Sequence, residues 1–178
     1  MRAALDAMAE RGLAGVAVEP LARRLGVTKG SFYSHFSSRD ELIEASLESW
    51  ERSHAEEHIE RLQAIGDPAE RLATVLRMAA EFSQSGAPSV HGRLMGELDD
   101  PRVRAAVARV NGARVDRLAE TFRELGLSER AARHRARIAY ATYVGLLQMS
   151  REAPDSRMKD RELEQFLAEL RRALIEPS

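Results

Sequence analysis

The 178-residue chain contains no cysteine. That excludes a disulfide scaffold, thiolate metal ligands and a cysteine nucleophile. No apolar run approaches the ~18–20 residues that cross a bilayer. The opening Met1-Arg2-Ala3-Ala4-Leu5-Asp6 lacks a signal-peptide pattern. A cytoplasmic protein with no membrane partner is therefore expected. Alternating period-2 runs are missing too, and no hairpin dipeptide joins two such runs, so strands are not expected. Charge of one sign is also missing. Lys and Arg total 27 against 28 Asp and Glu, a net charge of -1 that by itself implies no polyanionic partner. What remains is 44% hydrophobic and 31% charged, a globular balance.

The even total conceals a local excess. From Leu21 to Arg39 the chain carries Arg23, Arg24, Lys29 and Arg39 and no acid, a stretch of +4 in a remainder of -5. Such a stretch is either a solvated helix face or a phosphate-binding surface. Helical spacing recurs along the whole chain. The pattern predicts helices over 1–11 and 18–25, a third capped by Thr28 and running to about Phe36, and a fourth opened by the capping-box run Ser38-Arg39-Asp40-Glu41. Later breaks fall at Gly66-Asp67-Pro68, Ser85–Ser89, Asp99-Asp100-Pro101, Gly126 and Ala153-Pro154-Asp155. The expected fold is all-α, with about nine helices.

The second and third helices are the informative pair. Eight residues, a turn at Gly26-Val27 and another short helix make a helix-turn-helix spacing. Leu21, the small Ala22 and Leu25 are expected beneath the second helix of the pair. Val27 fills the corner, and Phe32 and Phe36, four apart, face inward. The face left over carries Thr28, Lys29, Gly30, Ser31, Tyr33 and His35, polar or small residues suited to a groove wall.

The run Gly26-Val27-Thr28-Lys29-Gly30-Ser31-Phe32-Tyr33-Ser34-His35-Phe36, followed by Ser37-Ser38-Arg39-Asp40-Glu41-Leu42, resembles the DNA-binding signature of the tetracycline-repressor (TetR) family. So does the approach to it, Ala9-Glu10-Arg11-Gly12, Val18 and Leu21-Ala22-Arg23-Arg24-Leu25. The likeness covers about residues 1–47. It implies a helix-turn-helix DNA-binding domain over 1–46 and a helical ligand-binding and dimerisation domain over 47–178. Thr28, Lys29, Gly30 and Ser31 would open a recognition helix in the major groove. Lys29 would contact a base or phosphate, and Gly30 would let the backbone approach DNA. Tyr33 and His35 would donate to phosphates. Arg39, where the family usually has lysine, would meet a phosphate at the N-terminus of the fourth helix.

Two features depart from the family. Ala17 stands where a Ser or Thr usually caps the second helix, a loss of ~1 kcal/mol. The sequence also begins inside what should be helix 1, whose family members commonly carry a further, often basic, arm.

The resemblance implies the remaining expectations. The function is a regulator, most simply a ligand-responsive repressor, that binds a near-palindromic operator of double-stranded DNA as a homodimer. The alternatives are a helical ligand-binding dimer without DNA binding, and a metal-dependent enzyme. For the last, His54-Ala55-Glu56-Glu57-His58 matches the H-x-x-E-H spacing, but the pattern is short and shows no third ligand. No enzyme activity, cofactor or metal is expected. Trp50, His54, Met78, Phe82, Met95, Phe122 and Tyr143 are either ordinary core or the lining of a small-molecule effector pocket. The segment Ile138–Met149 is apolar on nearly all sides and must be covered from more than one direction. Ile138, Ala141, Gly145, Leu146 and Met149, with Leu163, Phe166, Leu167 and Leu170 of the last helix, are expected to form a four-helix dimer interface.

Overall fold

The computed structural model describes residues 1–56, 62 and 64–175, leaving aside the side chains of 54–56 and 156. Among the described residues nine α-helices and no strand appear: α1 (Arg2–Arg11), α2 (Val18–Leu25), α3 (Lys29–Tyr33), α4 (Arg39–Glu56), α5 (Pro68–Ser85), α6 (Val90–Leu94), α7 (Pro101–Glu124), α8 (Glu129–Glu152) and α9 (Asp160–Ile175). Short 3-10 turns occupy Gly12–Gly15 and Pro154–Ser156. No described helix is long and apolar enough to cross a membrane.

The helix starts follow the expected chemistry. Thr28, Asp67, Ser89 and Ser128 each accept a backbone N–H of the first turn, and Ala17 caps α2 with no side-chain bond. Ser38 accepts from the Glu41 amide at 3.1 Å, as a capping box requires. The return bond is displaced by one residue, because the Glu41 carboxylate accepts from the amide and hydroxyl of Ser37. Those donors hold its pKa below the usual carboxylate value. One boundary differs from expectation: the third helix stops at Tyr33 rather than near Phe36. The short helix between the breaks at Ser85–Ser89 and Asp99-Asp100-Pro101 is Val90–Leu94, set by the Ser89 cap. Asn111-Gly112, a hairpin pair in other surroundings, lies inside α7.

Packing divides the chain into two compact units, Met1–Glu56 with Pro88–Val110, and Glu57–Ala87 with Asn111–Ser178. The first unit therefore holds the N-terminal head together with α6 and the first ten residues of α7. Its core joins Met8, Phe32, Ile43, Trp50, Leu94 and Val103. The Trp50 and His91 rings stack there at 6.2 Å, and both residues are buried. The second unit packs α5, the rest of α7, α8 and α9 around Leu72, Phe122, Ala136, Leu167 and Leu174.

Candidate nucleic-acid interface

The helix-turn-helix is built by one glycine and one threonine. Gly26 ends α2 in the left-handed region, at φ 68° and ψ 24°, where a side chain would be strained. The Val27 amide then bonds back to the Ala22 carbonyl. Thr28 accepts the Ser31 amide at 3.1 Å and starts α3. Phe32 is buried beneath it, and its ring lies 5.4 Å from that of Phe36, which is half-buried.

The expected outer face is outside. Thr28, Lys29, Gly30, Ser31, Tyr33 and His35 are all exposed. Tyr33 is 52% exposed, although its ring meets the edge of Phe32. A Cβ on Gly30 would meet only Thr28 Oγ1, at 3.8 Å, so nothing inside the fold requires glycine there. Two inward assignments are corrected. Leu25 is 57% exposed and Val27 is 42% exposed. Leu21, Ala22 and Phe32 already close the small core, and the last turn of α2 extends past it.

The basic stretch is less free than its local sum suggested. Lys29 is paired with Glu19. Arg24 reaches Asp6 at 3.4 Å and Glu10 at 3.8 Å. These acids lie outside the segment Leu21–Arg39, and folding brings them to it. The Lys29 ammonium lowers the Glu19 pKa through a hydrogen bond and its charge. All of these side chains are about half exposed. Such pairs are weak and exchange readily for other anions.

Arg39 is differently engaged from the phosphate role the resemblance implies. Its Nε donates to the Val16 carbonyl at 2.8 Å and its Nη2 to the Leu13 carbonyl at 2.6 Å. The side chain thus fastens the start of α4 to the turn ahead of α2. The same turn is held from the other side, where the Leu13 amide donates to Glu97 Oε2 at 2.9 Å. Glu97 is 84 residues away in sequence, and no local pattern marks it. Arg102 pairs with Asp40 at 2.9 Å and Arg109 with Glu51 at 2.7 Å, tying α7 to α4 within the same unit.

Among the pocket candidates, Trp50 and Phe122 are core residues, 1% and 0% exposed. Met95 packs at the edge of the first core. Met78 and Phe82 are 37% and 39% exposed on α5, and Tyr143 is half-buried on α8 beneath Arg114. The His54 side chain and His58 lie outside the described residues. Of the interface candidates, Ile138 is 54% and Met149 is 61% exposed. Ala141 is exposed too, and nothing lies within 4 Å of a Cβ placed on Gly145. Phe166 is half-buried. Leu167 is buried in the core of its own unit, and Leu146, Leu163 and Leu170 pack against the same cluster. The leucines of α9 are used inside their own unit, and α8 keeps an open strip at Ile138, Ala141 and Met149.

An eight-residue helix, a left-handed glycine turn and a capped helix with a polar outer face are joined here in one N-terminal head. Residues 1–46 match the family model for bacterial regulatory proteins, tetR family. The N-terminal head is thus similar to the DNA-binding domain of that family. A curated relative, the HTH-type transcriptional regulator TtgR of Pseudomonas putida, is 31% identical over 78 residues. That match spans 44% of this chain and about a third of the relative, 36%. Over nearly the whole chain the fold is similar to that of E. coli NemR in its reduced form. The TM-score is 0.76 at 20% identity, covering 98% of this chain and 94% of that one. It is also similar to AibR in complex with isovaleryl coenzyme A and operator DNA, with TM-score 0.60 and 21% identity, over 99% of this chain and 98% of that one.

Proposed function

We propose that this protein is a ligand-responsive transcriptional repressor of the tetR family that binds a near-palindromic operator as a homodimer. The observation that carries the reading is the exposed face from Thr28 to His35, lying over buried Phe32. Lys29 and Ser31 would face base edges or phosphates, and Tyr33 and His35 would donate to the backbone. Two such helices must stand about one turn of DNA apart, ~34 Å or a near relation of it. The open strip of Ile138, Ala141, Gly145 and Met149 supports pairing of two copies through α8, since a monomer gains nothing from exposing it. Regulation by an effector is supported by AibR, solved with both isovaleryl coenzyme A and operator DNA. An effector acts by preferring the geometry that does not fit the operator, and a ~100-fold preference corresponds to ~2.7 kcal/mol.

The test is selection of an operator from random DNA, followed by fluorescence anisotropy at two salt concentrations. A palindrome bound tightly, with affinity falling steeply as salt rises, is expected. Lys29→Ala should weaken that binding while circular dichroism stays unchanged. Failure to enrich any sequence, or salt-independent binding, refutes the reading.

A further inference from the structure

Within the second unit, Asn111 and Arg114 of α7 meet Tyr140 and Tyr143 of α8. The Tyr140 hydroxyl donates to Asn111 Oδ1. The Arg114 guanidinium lies 5.6 Å from the centre of the Tyr143 ring, and its charge acts on both tyrosine hydroxyls. Burial raises both phenol pKa values, and Arg114 partly opposes the rise. The phenols are therefore neutral at pH 7 and supply no counter-charge. No described carboxylate forms an ion pair with Arg114, whereas Arg71, Arg77, Arg102, Arg109, Arg123 and Arg133 each have one. Its Nη1 is buried with no hydrogen-bond partner. A buried, charged donor without an acceptor is costly, and such a group calls for an explanation.

We infer that Arg114, with Tyr140, Tyr143 and Asn111 around it, is the anchor of an effector site for an organic monoanion, a carboxylate carried on an apolar body. The unused Nη1 supplies a charge-assisted hydrogen bond to one carboxylate oxygen, and the guanidinium fork can take the other. The Tyr143 ring offers an apolar flank for the body next to the head group. The four side chains hold one cation, so a carboxylate balances it. A phosphate dianion would leave excess negative charge in half-buried surroundings. Asn111 is the first residue of α7 that belongs to this unit, and the part of α7 just before it is tied to α4 by Arg102 and Arg109. The site thus sits on the helix that also reaches the DNA-binding head's own compact unit.

The inference rests on the effector part of the function proposed above and not on operator binding. The full chain is titrated calorimetrically with benzoate, hexanoate and decanoate, each beside its primary amide, and with inorganic phosphate, at fixed ionic strength. At least one carboxylate should bind tenfold or more tightly than its amide and than phosphate, with a tyrosine ultraviolet difference signal. Arg114→Gln should remove that preference, with unchanged circular dichroism, and Tyr143→Phe should reduce the tyrosine signal. If Arg114→Gln does not fold, Arg114→Lys keeps the charge without the fork and should lose part of the preference. Equal affinity for acid and amide, preference for phosphate, undiminished binding by the Arg114 variants, or no binding by any probe overturns the inference. Operator binding is measured beside it. Intact operator binding without carboxylate binding removes this site and leaves the DNA-binding reading. Arg114-dependent carboxylate binding by a chain that enriches no operator does the reverse.

Discussion

Gly15 stands where α1 and the turn before α2 touch. A Cβ at this position would lie 2.2 Å from the Ala7 carbonyl oxygen and 3.1 Å from the Arg11 Cβ. The oxygen belongs to the helix backbone and cannot rotate away. Ordinary contact needs about 3.4 Å or more, so Gly15→Ala must part the turn from α1 by about 1 Å. The turn cannot shift freely either. Arg39 holds its Leu13 and Val16 carbonyls, and Glu97 holds its Leu13 amide. Overpacking of this kind costs about 1–3 kcal/mol, and the loss of bond geometry at three anchors places it toward the top of that range. For a chain of this size that lowers the melting midpoint by roughly 4–10 °C. Gly66→Ala is the matched control, because nothing lies within 4 Å of its added Cβ and its φ is not positive. The control should be neutral or gain a few tenths of a kcal/mol from the unfolded chain. Thermal and urea unfolding of both variants measure the difference. A Gly15→Ala midpoint within 1 °C of the wild type would refute the packing argument.

Glu19→Gln should tighten operator binding, because Lys29 then no longer has to leave a carboxylate and a charge that repels phosphate is gone; weaker binding would mean that Glu19 positions Lys29 for DNA. The Asp100 carboxylate is lowered to about 2, chiefly by hydrogen bonds from Arg102. A depressed carboxylate stabilises the fold above its unfolded pKa near 4, so on the order of 1 kcal/mol should be lost as pH falls from about 4 to 2. Asp100→Asn should flatten that part of an acid-unfolding curve, and an unchanged curve would refute the assignment. If two copies pair through α8 as proposed, Ile138→Arg with Met149→Arg should give a monomer by light scattering and abolish operator binding, while leaving helicity intact. A variant that remains dimeric would move the interface away from α8.

The exposed polar face from Thr28 to His35 was legible from sequence because everything that forms it is local. A glycine turn, a threonine cap and two phenylalanines four apart define α3, and the polar residues between them can only face outward. Helix starts were legible for the same reason, since a cap acts over three residues. The extent of α3 was read too long because its last turn loosens after Tyr33. Leu25 and Val27 were read as buried because hydropathy pattern gives a direction and not the depth of the core on that side.

Sequence by itself determined the helical class, the helix-turn-helix and the six exposed residues of its outer face. Tertiary structure decided which charges meet. Asp6, Glu10 and Glu19 neutralise much of a stretch that reads as +4, Glu97 reaches the turn at Leu13 from 84 residues away, and Arg114 gathers two tyrosines without a carboxylate. It also decided that the leucines of α9 are used in their own unit, leaving Ile138 and Met149 of α8 uncovered. The division has one physical cause. Backbone propensity and capping act within a turn or two of chain, whereas charge pairing and burial depend on distances in space that only the packed fold sets.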